Sequence, residues 1–207
     1  MAWQLYGVRG WGSTIAEAAL AWVGAPFEFI DVEGFDQPGA ARQRLLALNP
    51  LARVPTLVTP DGEIMTESAA IVLRLAELHP DSGLAPPPED PLRPAFLNRL
   101  IWLVSVLYPT FSYRDYPERW APDAAEQLVE RIDEFRRSLW RQFESEVGDT
   151  PWVLGGEPSA LDIYVCAMSQ WRPRREWLAE NCPKLHRIAL ATEALPVLAP
   201  VMARNFP

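Results

Sequence analysis

Strand signals fill only the first 80 or so residues of this 207-residue chain, and they stop at a proline-rich passage, Pro80–Pro91 (PDSGLAPPPEDP). Before it, Trp3–Tyr6 reads as a strand ending at Gly7, followed by a glycine-rich turn, Gly7–Thr14, and a helix, Ile15–Val23, that stops at Gly24. Phe27–Val32 alternates as a second strand, and Gln37–Leu48 is patterned as a helix with Ala41, Leu45 and Leu48 on one side. Two short strands, Thr56–Thr59 and Glu63–Met65, flank Pro60-Asp61-Gly62, where proline presets φ and glycine supplies φ > 0. A helix, Ser68–Leu78, closes the series. The order β-α-β-α-β-β-α predicts one mixed sheet with helices on its faces. Beyond the prolines only helical periodicity remains: Arg93–Tyr108, a long amphipathic Asp123–Val147 with Leu128, Ile132, Phe135, Leu139 and Phe143 as its stripe, Ala160–Trp171, and shorter pieces at Trp177–Ala179 and Leu185–Ala191. The expected division is an α/β domain over residues 1–80, a linker over 81–92 and an all-α domain over 93–207.

A net charge of −8 argues against binding nucleic acid through bulk electrostatics. Cys166 and Cys182 form no C-x-x-C pair, so neither a redox dithiol nor a metal site is signalled. The start, MAWQLYGVRG, lacks a signal-peptide pattern, and no apolar run reaches the length of a membrane span. These features predict a cytoplasmic protein with no membrane partner.

The stretch Asn49–Leu75 (NPLARVPTLVTPDGEIMTESAAIVLRL) carries the binding signal. Pro55 cannot donate to a ladder, so it belongs at a strand's first residue, and the backbone before it is free to face something other than the sheet. Beyond the hairpin, Glu67 and Ser68 sit where a helix begins. The first N–H groups of a helix welcome a carboxylate, Ser68 adds a hydroxyl donor, and Glu67 offers an acceptor for an ammonium group. The pair suits an α-amino acid head group, although an ordinary helix cap also uses these residue types. Ser159-Ala160-Leu161-Asp162 is a capping box, and capping accounts for both its polar residues.

Taken together, NPLARVPTL, then Glu67-Ser68-Ala69-Ala70-Ile71, then the capping box after Gly155-Gly156 resemble a soluble glutathione S-transferase of bacterial type. The likeness spans nearly the whole chain. It implies a thioredoxin-like N-terminal domain, an all-helical C-terminal domain, a homodimer, and glutathione as co-substrate. It further implies that Pro55 is a cis-proline, that the Val54 backbone pairs with the cysteinyl part of glutathione, that Glu67 and Ser68 hold its γ-glutamyl end, and that Arg53 meets its glycyl carboxylate.

Family members carry Tyr, Ser or Cys after the first strand, donating a hydrogen bond that stabilises the glutathione thiolate. Here Gly10-Trp11-Gly12-Ser13-Thr14 occupies that turn, with Trp11 or Gly12 in the usual catalytic register. Ser13 is the nearest hydroxyl and the catalytic candidate; Thr14, Tyr6 or the backbone alone are the alternatives, and Ser13 could simply cap the helix. Tyr108, Phe111, Tyr113, Tyr116 and Trp120, with Trp11, fall where relatives line an apolar pocket for a small hydrophobic electrophile. The resemblance implies conjugation of the glutathione thiolate to that electrophile. A glutathione-dependent isomerase or peroxidase at the same site, or a non-catalytic binding relative, is the competing reading.

Overall fold

Alternation and turn chemistry dictate a four-stranded mixed sheet, and the computed structural model, which describes residues 2–207, has one in the order β2-β1-β3-β4. β1 (Trp3–Gly7) runs parallel to β2 (Phe27–Asp31), with Leu5 opposite Phe29, and the return between them is the helix α1 (Ser13–Trp22). β3 (Thr56–Val58) lies antiparallel on the other side of β1, Leu5 opposite Leu57, and β4 (Ile64–Met65) completes the hairpin. Helices α2 (Ala40–Leu46) and α3 (Ser68–Leu78) finish a thioredoxin-like βαβαββα unit. Its core forms because side chains alternating off the sheet meet apolar helix faces: Leu5, Ile15, Leu20, Leu57, Ile71 and Leu75 are completely buried.

The remaining helices are α4 (Arg93–Trp102), α5 (Pro109–Asp115), α6 (Ala125–Glu146), α7 (Ala160–Ser169), α8 (Arg174–Asn181), α9 (Pro183–Glu193) and α10 (Ala199–Asn205). All ten residues of α7 are buried, so it is the central element of the helical part. Its start is the expected box. Ser159 N–H donates to Asp162 Oδ2 at 2.7 Å, Leu161 N–H donates to Ser159 Oγ at 3.3 Å, and Asp162 Oδ1 also accepts from Val153 N–H at 2.9 Å.

Three expectations need correction. The chain divides into one compact unit made of residues 1–87 and 192–207, and a second made of 88–191. Residues 192–207 thus belong with the α/β unit, because Arg204 and Asn205 bond to Glu17 of α1. The front of the expected linker also packs into that unit: Leu84 and Ala85 are buried, and Trp22 Nε1 donates to the Ser82 carbonyl at 2.8 Å. Second, Pro109 does not end the helical run. Residues 103–107 widen into a π turn, with Tyr108 N–H donating to the Leu103 carbonyl, and Pro109 then opens α5, where its missing N–H costs nothing. Third, α6 buries Arg136, Leu139, Trp140 and Phe143 while Phe135 is 48% exposed. The buried face keeps Leu139 and Phe143 of the stripe but takes Arg136 in place of Phe135 and adds Trp140, because one of its positions is an arginine, which hydrophobic patterning cannot count.

Candidate functional site

The loop before β3 is built by Asn49, a buried amide that the hairpin pattern does not reveal. Its Nδ2 donates to the Arg53 carbonyl and to Thr56 Oγ1, both at 3.1 Å, and its Oδ1 accepts from Leu51 N–H at 3.0 Å. Thr56 Oγ1 adds a bond to the Arg53 carbonyl at 2.9 Å. The loop is therefore fixed from behind, and it enters β3 through a cis Val54–Pro55 peptide bond. Among the described residues, neither the N–H nor the C=O of Val54 has a protein partner. Arg53 is exposed.

Leu57 stands opposite Met65 in the hairpin, so three residues further toward its open end the chain reaches Val54 on one side and Ser68 on the other. Glu67 is the N-cap of α3, in an extended conformation (φ −106°, ψ 124°), and its exposed side chain makes no capping bond. The first intrahelical bond runs from Ile71 N–H to the Glu67 carbonyl at 3.0 Å, so the N–H groups of Ala69 and Ala70 have no acceptor within the helix. A carboxylate free of capping duty thus stands beside a helix N-terminus, as recognition of an α-amino acid requires.

The turn between β1 and α1 is the second part of the first unit. Ser13 is wholly buried; its Oγ donates to the Val8 carbonyl at 2.8 Å and accepts from Val8 N–H at 3.0 Å. A Cβ on Gly7 would fall on Ser13 Cβ and Oγ, so this close approach requires glycine there. Gly10 has φ 76°, and its N–H donates to Asn205 Oδ1 at 3.0 Å. Thr14 Oγ1 donates to the same oxygen at 2.8 Å and is also buried. Among the described residues, the N–H groups of Gly12 and Ser13, at the start of α1, have no protein acceptor. Trp11 is 40% exposed and packs edge-on against Phe35, with centroids 5.5 Å apart. Tyr6 lies in β1 among the buried cluster of Val8, Ile30 and Leu45.

In the second unit the five aromatic candidates separate into groups. Tyr108 and Phe111 meet Trp171 edge-on at 5.5 and 5.1 Å, and Phe111 is buried, which makes it core. Tyr113 packs on Trp120 at 4.8 Å, and Trp120 is 53% exposed; Tyr116 carries the Arg119 guanidinium 3.8 Å from its ring centroid. Trp171, two residues past the end of α7, escapes sequence reasoning because no local pattern ties it to Tyr108 and Phe111. Both cysteines are buried, and the two are not joined in a disulfide. Burial, with the Glu144 carboxylate adding to it, pushes the Cys182 thiol up to about 12, so it is no thiolate at neutral pH.

The sequence model for the glutathione S-transferase N-terminal domain matches residues 12–86. The chain is 46% identical over 202 residues to the uncharacterized GST-like protein YncG of Escherichia coli, covering 98% of each. The chain belongs to the glutathione S-transferase family. It is also similar to the maleylacetoacetate isomerase of Pseudomonas aeruginosa, at 29% identity over 96% of this chain and 94% of that one. Among solved structures, a sphingomonad glutathione S-transferase complexed with glutathione has a TM-score of 0.81 and 26% identity, covering 99% of this chain and all of that one.

Within this family framework Ser13 needs correction as the sulfur donor. Its one proton already serves Val8, and the side chain has no exposure through which to reach a ligand. It is the lock of the turn. Thr14 is likewise committed, to Asn205. The backbone alternative stays open: among the described residues, the N–H groups of Gly12 and Ser13 are turn donors without a protein acceptor.

Proposed function

We propose that this glutathione S-transferase family member binds glutathione in its first unit and conjugates the thiolate to a small hydrophobic electrophile. The observation that carries the reading is the Val54 backbone, with both polar groups unpartnered, at the same hairpin end as Glu67 and Ser68. Val54 reads the cysteinyl peptide group by two backbone bonds, and Glu67 accepts from the γ-glutamyl ammonium. Ser68 and the start of α3 receive its carboxylate, and Arg53 meets the glycyl end. The Gly12 and Ser13 N–H groups stabilise the thiolate, lowering the thiol pKa without a side-chain hydroxyl. Trp11, Tyr108, Tyr113, Tyr116 and Trp120 are the apolar surfaces that suit an electrophile of this class. A second reading, glutathione-dependent isomerisation, is favoured by the likeness to the Pseudomonas isomerase and uses the same thiolate.

Calorimetry with glutathione tests the binding. Wild type gives saturable binding, and Glu67→Ala weakens it by roughly 10- to 100-fold, the worth of one charge-assisted contact. No heat at millimolar glutathione would sink the proposal. Turnover of a generic aryl halide then separates the chemistry: conjugation supports the transferase, and binding without turnover favours the isomerase or a binding protein. If Ser13→Thr, which keeps a hydroxyl, and Ser13→Ala differ in the pH profile of turnover, the backbone assignment fails and the hydroxyl regains its role.

A further inference from the structure

The second unit holds a cavity of about 130 Å³ whose lining is Asp133, Arg136, Arg137, Arg172, Pro173, Arg174 and Trp177. Four arginines against one aspartate invert the charge of a chain that is −8 overall. At its base is Arg136, whose side chain is 1% exposed. A guanidinium cannot shed its charge by deprotonating, so burial obliges it to find acceptors. Arg136 finds only one: Nη2 donates to Asp133 Oδ1, while Nε and Nη1 are buried with no partner. Asp133 is shared, because Arg114 Nε also stands 3.3 Å from the same Oδ1 as an ion pair, itself without a hydrogen bond. One face of the Arg136 guanidinium lies over the Phe111 ring, 4.8 Å from its centroid, so its remaining donors point along its edge.

The cavity wall is shaped for these cations. Arg174 takes φ 76°, a region that non-glycine residues seldom occupy, and its N–H donates to the Trp171 carbonyl at 2.7 Å. The turn brings Arg172, Pro173 and Arg174 to the lining together. Arg137, Arg172 and Arg174 are exposed, so the cavity has a mouth of exposed cations over a buried one.

We propose that this cavity is a binding site for a small oxyanion, a carboxylate- or phosphate-type group with at least two acceptor oxygens. The chemistry follows from the donors: guanidinium edges match paired oxygens, and a charge-assisted pair to the buried Arg136 is screened less than the same pair in open water. Size sets the limit. At about 30 Å³ per water, the space holds one acid group and a water or two, not a whole tripeptide. The site is independent of the glutathione reading, since it draws on no residue of the first unit.

The test uses the full chain and inorganic phosphate, titrated by calorimetry and by Trp fluorescence at ionic strength held constant with sodium chloride. Wild type shows saturable phosphate binding. Arg172→Gln and Arg174→Gln, both at exposed positions where the fold is not at stake, each weaken it by about tenfold or more. Arg136→Lys keeps the charge but loses the fork, and it weakens binding similarly. Glu67→Ala binds phosphate as wild type does. Acetate and succinate identify the source: tighter binding than phosphate points to the acid group of an organic molecule, and weaker binding to a free inorganic oxyanion. Absence of saturable binding by all three probes up to about 50 mM would overturn the proposal, since a cavity serving water alone binds none of them. So would phosphate binding that Arg172→Gln and Arg174→Gln leave unchanged.

Discussion

Replacing Asp162 with alanine lowers the stability of the folded chain by about 2 kcal/mol at pH 8, and by more in mild acid. The carboxylate accepts from Ser159 N–H and from Val153 N–H, joining the start of α7 to the segment before it. Alanine leaves both buried donors without acceptors, at about 1–3 kcal/mol each, partly offset because a charge no longer has to be buried. That burial pushes the Asp162 carboxyl up from its ordinary 3.8 to about 6, against the bonds from Val153 and Ser159 that favour the anion. A raised pKa in the folded state means the native form holds the proton more tightly than the unfolded chain does. Wild type therefore gains stability as pH falls through about 6 and loses it as pH rises. The gain between pH 8 and pH 5.5 is about 1 kcal/mol, and Asp162→Ala lacks it. Urea unfolding at the two pH values measures the difference; an equal loss at both would contradict the shifted carboxyl. Asp162→Asn does not rescue, because its amide can offer an oxygen to only one of the two N–H groups.

That capping box was legible in the sequence because it is local. Four consecutive residues carry the whole pattern, and the same holds for the Pro60-Asp61-Gly62 hairpin and for Glu67-Ser68 at the start of α3. What escaped is what depends on distant partners or on a polar residue in an apolar role. Ser13 is a free hydroxyl in the sequence and a spent one in the fold, because Val8 curls back five residues to meet it. Asn49 looks like an ordinary loop residue, yet it ties down the segment that presents Val54. Arg136 occupies a core position of α6 that the apolar pattern assigned to its neighbour Phe135. Trp171 joins the Tyr108 and Phe111 cluster across more than 50 residues of chain, and no periodicity connects them.

The last residues of the chain set the strongest case of this kind. Asn205→Ala costs about 3 kcal/mol, although the residue is two from the C-terminus. Its Oδ1 accepts from Gly10 N–H and Thr14 Oγ1, and its Nδ2 donates to Glu17 Oε2 at 2.8 Å and to the Val201 carbonyl at 2.9 Å. Alanine leaves two donors and a buried carboxylate short of a partner. Arg9 and Arg204 remain beside Glu17 at 3.5 and 3.0 Å, but both are nearly half exposed and share their charge with solvent. Asn205→Asp keeps the acceptor for Gly10 and Thr14 and sets a second carboxylate against Glu17. One proton shared between them restores a hydrogen bond, so the folded pair binds it more tightly than the unfolded chain does. The Asp variant is therefore weaker than wild type at pH 8 and regains stability on acidification; wild-type stability at pH 8 would show that the Nδ2 bond to Glu17 contributes nothing. Because Asn205 is hydrogen-bonded to the Gly10–Thr14 turn and, among the described residues, not to Val54 or Glu67, Asn205→Ala lowers turnover on the proposed reaction about tenfold or more while glutathione affinity changes only a few-fold. Equal losses in both would mean that residues 199–207 hold up the unit as a whole rather than the turn proposed to face the glutathione sulfur.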